Sequence, residues 1–190
     1  MDHNIILPFT DEVLAGIRPM DVLYLTGTVY TARDAAHRRM YETVLKTLEE
    51  SGIFSVDDPG SFTESAVETG RAVLPFDILN SVVYYLGPTP PKPGQVIGSA
   101  GPTTSGRMDK YTPLLLKLGM RGMIGKGRRS GAVIDAIHEN KAIYMGATGG
   151  AGALLSKCIK SSEIIAYDDL GTEAIRKLYV ENFPVTVLEV

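Results

Sequence analysis

The sequence predicts a single α/β domain over residues 1–190, built on a mixed, largely parallel sheet. Three observations predict it. From residue 121 onward, short apolar runs alternate with segments of helical spacing. Upstream, a run of strand-forming residues leads straight into a long amphipathic segment. The glycine-rich polar stretches are short and fall at strand ends, where such folds place their sites.

Residues 21–30, DVLYLTGTVY, are rich in β-branched and aromatic side chains and read as a strand. Thr31 and Asp34 resemble a capping box with Asp in place of Glu. A helix then runs to about Ser51, with Ala36, Met40, Val44 and Leu48 as its apolar stripe and Gly52 as its stop. Residues 55–70 are polar, contain Pro59 and Gly60, and read as loop. Strands are expected at 81–87 and 96–100, joined by PTPPKPG, which has too many prolines to sit inside a sheet. The turn at 101–109 opens a helix ending near Gly119. Strands at 121–125 and 142–147 and helices at 130–139 and 150–156 follow, then a strand through SSEIIAY, a helix at 172–180 and a final strand, PVTVLEV. The higher share of strand in the first half makes the sheet mixed.

An apolar fraction of 44% with 22% charged residues excludes a disordered chain. The net charge of −3 argues against an electrostatic nucleic-acid binder, and Lys126, Arg128 and Arg129 are too short a basic cluster to reverse that. No apolar run approaches the roughly 20 residues of a membrane span. The first residues, MDHNIILPFTDEV, carry acids rather than a cationic leader, so a cytoplasmic protein is expected. The one cysteine, Cys158, reads as a small buried residue; it cannot by itself form an internal disulfide or hold an iron–sulfur cluster. The three histidines show no metal-ligand spacing, so this chain is expected to hold no metal.

Four constellations can carry chemistry. Gly101-Pro102-Thr103-Thr104-Ser105-Gly106-Arg107 places three hydroxyls and a planar cation at a helix start, suited either to gripping a carboxylate or simply to capping that helix. At the strand-to-helix junction Thr31–His37, Arg33 binds an anion or pairs with Asp34 at the surface; His37, one turn in, faces the same cleft or solvent. Lys126 lies between Gly125 and Gly127, presented as a point charge. The Walker A pattern fails there, because Met120 stands where its first glycine belongs and Gly127 where its Ser or Thr does. Finally, Gly150-x-Gly152-x-x-Leu155, with Asp168 downstream, imitates a dinucleotide fingerprint. It lacks the third glycine, and fewer than 40 residues follow Gly152, so a tight turn lining a cleft is the better reading.

GPTTSGRMD at 101–109 resembles the GPTT-[small]-GRMD signature of class I (iron–sulfur) fumarate hydratases. GTVYTARDAAHRRM, YYLGPTPPKPGQVIGSA, IGKG and GATGGAGAL fit the same family in order, most clearly from Asp21 to Gly152. The beta subunits of L(+)-tartrate dehydratases are similar throughout; Gly106 favours fumarase. The resemblance implies a swivelling β/β/α domain, the small subunit of a hydro-lyase that hydrates fumarate to L-malate. It implies a large (alpha) partner subunit that carries a four-iron, four-sulfur cluster and an acid aspartate, hence a hetero-oligomer. By position, Thr103 matches the family's base at substrate C3, and Arg33, Arg107 and Lys126 match its carboxylate-binding groups. Asp34, His37, Thr104 and Gly101 are expected to line the same site. The alternative outside hydro-lyases is a non-catalytic module gripping a phosphorylated ligand through the 101–107 and 124–127 loops.

Overall fold

The computed structural model describes residues 1–55, 62–148 and 151–190. Its sheet has seven strands in the order β1-β2-β3-β4-β5-β7-β6. These are β1 (Asp2–Ile6), β2 (Val22–Thr31), β3 (Val82–Tyr84), β4 (Gly122–Gly125), β5 (Ile143–Gly146), β6 (Ile159–Ala166) and β7 (Ile175–Glu189). β1 to β5 pair in parallel, whereas β7 runs antiparallel to β2, β5 and β6. Because β7 pairs with both β2 and β5, strands β2, β3, β4, β5 and β7 close into a barrel, with β1 and β6 appended to it. A mixed, mostly parallel α/β fold is what the alternation of elements predicts.

The helices are α1 (Asp11–Ala15), α2 (Asp34–Glu50), α3 (Glu64–Ala72), α4 (Thr112–Lys117), α5 (Gly131–Glu139) and α6 (Gly152–Leu155). Two apolar layers account for the packing. Inside the barrel, Leu23, Leu25, Val29, Val82, Tyr84, Ile124, Ile143, Met145, Val180 and Val185 meet one another. On the outer face, Val83, Tyr85, Met123 and Tyr144 pack against the α2 stripe Ala36, Met40, Val44 and Leu48 and against α4 and α5. The short parallel strands are therefore buried on both faces, which is why they read as continuous apolar runs.

Several expectations are corrected. Of the helix expected at 172–180, residues 175–180 are instead the first part of β7, and 172–173 end a 3-10 turn. Residues 64–70 of the expected 55–70 loop belong to α3, while 56–61 lie outside the described residues. No strand forms at 96–100. That segment folds back on the proline-rich connector, where Thr89 N–H donates to Ser99 O at 3.3 Å and Ser99 N–H to Thr89 Oγ1 at 2.9 Å. Thr31 does not cap α2. The N-cap position is Arg33, and Thr31 is buried, its hydroxyl accepting from Arg176 N–H at 3.0 Å. Cys158 is half-buried at the edge of the inner core rather than enclosed by it. Gly149 and Gly150 of the glycine-rich stretch lie outside the described residues; α6 begins at Gly152.

Candidate functional site

Parallel pairing points the carboxyl ends of β2, β3, β4 and β5 to the same end of the barrel, and the loops leaving those ends carry the expected site residues. Arg33 lies two residues beyond β2. Beyond β3, the chain forms an isolated antiparallel bridge between Leu86 and Pro102, which lays the 101–107 turn across the strand end. Thr103 N–H donates to Tyr85 O at 2.8 Å, fixing that residue half-buried at the edge. Beyond β4, Lys126 forms an isolated parallel bridge with Thr104, and Ser105 N–H donates to Lys126 O at 2.9 Å. Gly101 meets the start of α6, where Ala100 N–H donates to Gly152 O at 3.1 Å.

Asp34 bridges the two arginines. Asp34 Oδ1 lies 2.7 Å from Arg107 Nε, and Asp34 Oδ2 lies 3.5 Å from Arg33 Nε. The surface pairing of Arg33 with Asp34 and the gathering of two arginines at one point are thus both true. Arg107 remains half exposed, its side chain at 50%, while Arg33 is at 22%. Arg33 crosses directly over Gly87: a Cβ there would stand 2.6 Å from its Nη1. The glycine leaves the slot in which that guanidinium lies. Lys126 and Thr104 are exposed beside the turn.

His37 does not face this cleft. It is fully buried beneath Arg33, with its Nδ1 3.0 Å from Arg33 O and its ring 5.2 Å from that of Tyr85. A carbonyl only accepts, so Nδ1 carries the proton and donates. Nε2 is buried without a hydrogen-bond partner. Burial pushes the imidazole pKa down to about 4, and the nearby Arg129 charge adds to this against the opposing bond to Arg33 O. His37 therefore stays neutral at physiological pH and serves as packing that holds the β2–α2 junction.

Three further residues in this region were not expected to take part in the site. Glu173, in the 3-10 turn before β7, accepts from Ala35 N–H at 2.7 Å and lies 3.4 Å from Arg33 Nη2. It caps α2 from 138 positions away. Arg129, a member of the basic cluster, is in fact buried: its Nε donates to Asp109 Oδ1 at 2.7 Å, Nη2 to Thr112 Oγ1 at 2.7 Å and Nη1 to Tyr85 Oη at 3.1 Å. Asp109 in turn accepts from Ser130 N–H at 2.7 Å at the start of α5. Tyr144, on β5, reaches Ser105 in the turn. Only the Asp109–Arg129 pair was within reach of sequence reasoning, as an acid ending the GRMD stretch and a base just past the lysine loop.

An iron–sulfur cluster does not fit the residues of this chain. Such clusters need several thiolates, and the chain has one cysteine. Among the described residues, no three His, Cys, Asp or Glu side chains gather as metal ligands. Among the same residues, no helix is long and apolar enough to cross a membrane.

A closed α/β barrel presenting arginines, a lysine and hydroxyls at its strand ends defines a class of domain rather than one protein. Residues 64–189 match the family model described as Fumarase C-terminus, and the chain belongs to that family. It is 37% identical over 182 residues to the anaerobic class I fumarate hydratase of Escherichia coli K12, a match covering 93% of this chain and 29% of the relative. It is 37% identical over 168 residues to the mitochondrial fumarate hydratase 1 of Leishmania major, covering 87% of this chain and 26% of the relative. A protein assigned as an L(+)-tartrate dehydratase beta subunit in Methanocaldococcus jannaschii is 33% identical over 168 residues, covering 86% of this chain and 74% of the relative. The chain thus spans less than a third of the fumarate hydratases and about three quarters of the tartrate dehydratase relative.

Proposed function

We propose that the chain is the small subunit of a cytoplasmic hydro-lyase that reversibly hydrates fumarate to L-malate. A large (alpha) subunit completes the active site and carries the iron–sulfur cluster. The observation that carries this reading is Asp34 holding Arg33 to Arg107, which lies in the same strand-end turn as Thr103. A dicarboxylate brings two negative charges. Two arginines and Lys126, with Asp34 and Glu173 offsetting part of their charge, grip its carboxylates and fix which carbon faces Thr103. In this reading Thr103 exchanges the proton at substrate C3. A hydroxyl is a weak base at neutral pH, so the surrounding cations and the exclusion of water by the large subunit must favour its ionised form. Gly101, Thr104 and Asp34 shape the rim. This chain supplies grip and proton transfer.

The Methanocaldococcus relative, matched over 74% of its length, favours L(+)-tartrate as a second candidate substrate and fits a separate small subunit. Anaerobic malate dehydration, followed as fumarate absorbance, tests both. The chain alone should show no turnover; the complex with a cluster-loaded large subunit should prefer malate over tartrate. Tartrate preference keeps the mechanism and changes the substrate. Turnover by the chain alone sinks the shared-site reading. A stable, cluster-loaded complex inactive on both acids leaves the anion-binding module.

A further inference from the structure

The 101–107 turn and the lysine loop come from different strands, yet their reach into one site must hold to a fraction of an ångström for any substrate to meet both. Beneath them lies Tyr144, 2% exposed, on the outer face of β5. Its Oη is 2.7 Å from Gly127 O and 2.9 Å from Ser105 Oγ. The carbonyl can only accept, so the phenol donates its single proton to Gly127 O, and the Ser105 hydroxyl must donate to Tyr144 Oη. The result is a directed chain of hydrogen bonds, Ser105 to Tyr144 to Gly127, that straddles Lys126. Ser105 is fully buried and its hydroxyl fills the space above Gly125, where a Cβ would stand 2.0 Å from Ser105 Oγ. The phenol ring is fixed from below by the Arg129 guanidinium, 5.1 Å from its centroid.

We infer that Tyr144 is a positioning residue that locks the Thr103–Arg107 turn to the Lys126 loop, so that the hydroxyl and the cations keep one spacing. As a role in substrate recognition this rests on the reading of the site as a dicarboxylate hydratase. The Ser105 N–H bond to Lys126 O joins the two loops at the backbone; the tyrosine adds a second tie on the far side of the lysine. Two ties fix an orientation where one leaves a hinge.

Tyr144→Phe removes the hydroxyl and keeps the ring that packs on Arg129. In the cluster-loaded complex it should lower kcat/KM for malate about tenfold, mainly through a raised KM. Ser105→Ala should do the same, and the double variant should lose no more than the worse single one, because both break the same chain. In the chain alone, amide hydrogen exchange should quicken in 103–107 and 125–128 and stay unchanged in α2. A role confined to stability would lower the melting temperature, leave KM alone and raise exchange across the barrel. Unchanged exchange in the two loops overturns the tie. So does a kcat/KM within about twofold of wild type in Tyr144→Phe, or single losses that multiply in the double variant. If the wild-type complex turns over neither malate nor tartrate, the hydratase reading falls, and loop exchange in Tyr144→Phe still decides whether the two loops are joined.

Discussion

At the carboxyl ends of β2, β3 and β4, strands of three to ten residues hand over to loops that carry Arg33, Thr103, Arg107 and Lys126. Along β6 and β7, strands of eight and fifteen residues run antiparallel, and the expected site residues lie outside both. In the first region β3 and β4 are buried at every position, while β2 alternates buried with half-buried residues. The ribbon alternates buried with exposed residues, with Leu178 and Val180 inside and Lys177, Tyr179 and Glu181 outside. Rigidity explains the division. In the proposed function these side chains hold a charged ligand in place, which needs a backbone that cannot shift, and a strand packed on both faces supplies it. The ribbon needs only to close the barrel.

The comparison breaks if changes at the two places have similar effects. The largest expected effect is at the strand ends. Arg107→Ala, half exposed and outside the core, should cost the reconstituted complex roughly a thousandfold in kcat/KM, about 4 kcal/mol, with little change in melting temperature. Near-wild-type turnover would return Arg107 to an ordinary surface role. Just beneath, Arg129→Ala should lower stability by about 4 kcal/mol in urea titration, because it strips a buried charge from Asp109, Thr112 and Tyr85 at once. A loss below about 1 kcal/mol, the scale of a surface pair, would show that Asp109 finds another partner.

His37 sharpens the contrast through pH. Its folded pKa, about 4, lies below the ordinary 6.5, so the folded state binds the proton less readily than the unfolded one. Its contribution is complete above pH 6.5 and is lost as pH falls toward 4, about 3 kcal/mol in all. Denaturation midpoints measured from pH 7 to pH 4 should fall for the wild type and stay flatter for His37→Gln. Parallel curves would mean that another group carries the acid sensitivity. The smallest effect belongs to the ribbon. Tyr179→Ser, at a position 43% exposed, should change stability by less than about 0.5 kcal/mol and leave kcat/KM intact. A clear loss of turnover would make the outer face of β7 part of the machinery.

The same contrast decides what was legible in the sequence. SVVYYLG, RGMIG and AIYMGA show their strands because burial on both faces demands uninterrupted apolar residues. In the ribbon SSEIIAY and PVTVLEV read as strands, and only the first part of β7 hides, because its alternation changes phase. Gly27 pairs with Val180 and Leu25 with Phe183, so β7 carries one extra residue there, and Asn182 takes a φ of 49°. Buried positions then fall at 178, 180, 183 and 185, a spacing that fits neither a clean strand nor a helix. The good helix formers of EAIRKLY complete the misreading. Helix α3 hides for another reason: Ala66 and Gly70 are its only buried residues, too thin a stripe to see. In the proposed site, Arg33, Thr103, Arg107 and Lys126 stand out in the sequence because they sit at junctions. Glu173 and Tyr144 do not, because they act on residues 138 and 39 positions away, and no local pattern records that.

The β2–β7 pairing also sets an order of events during synthesis. Thr31 waits for Arg176, 145 residues later, before its hydroxyl and strand edge are satisfied. Until then VLYLTGTVYT presents a ten-residue open edge of high β-propensity, the kind of edge that recruits other chains. The sheet cannot be finished piecemeal from its amino end. A nascent chain stalled before β7 is sticky rather than half folded, and expression trials that shorten β7 should yield aggregate where those that trim the tip of β6 yield soluble protein.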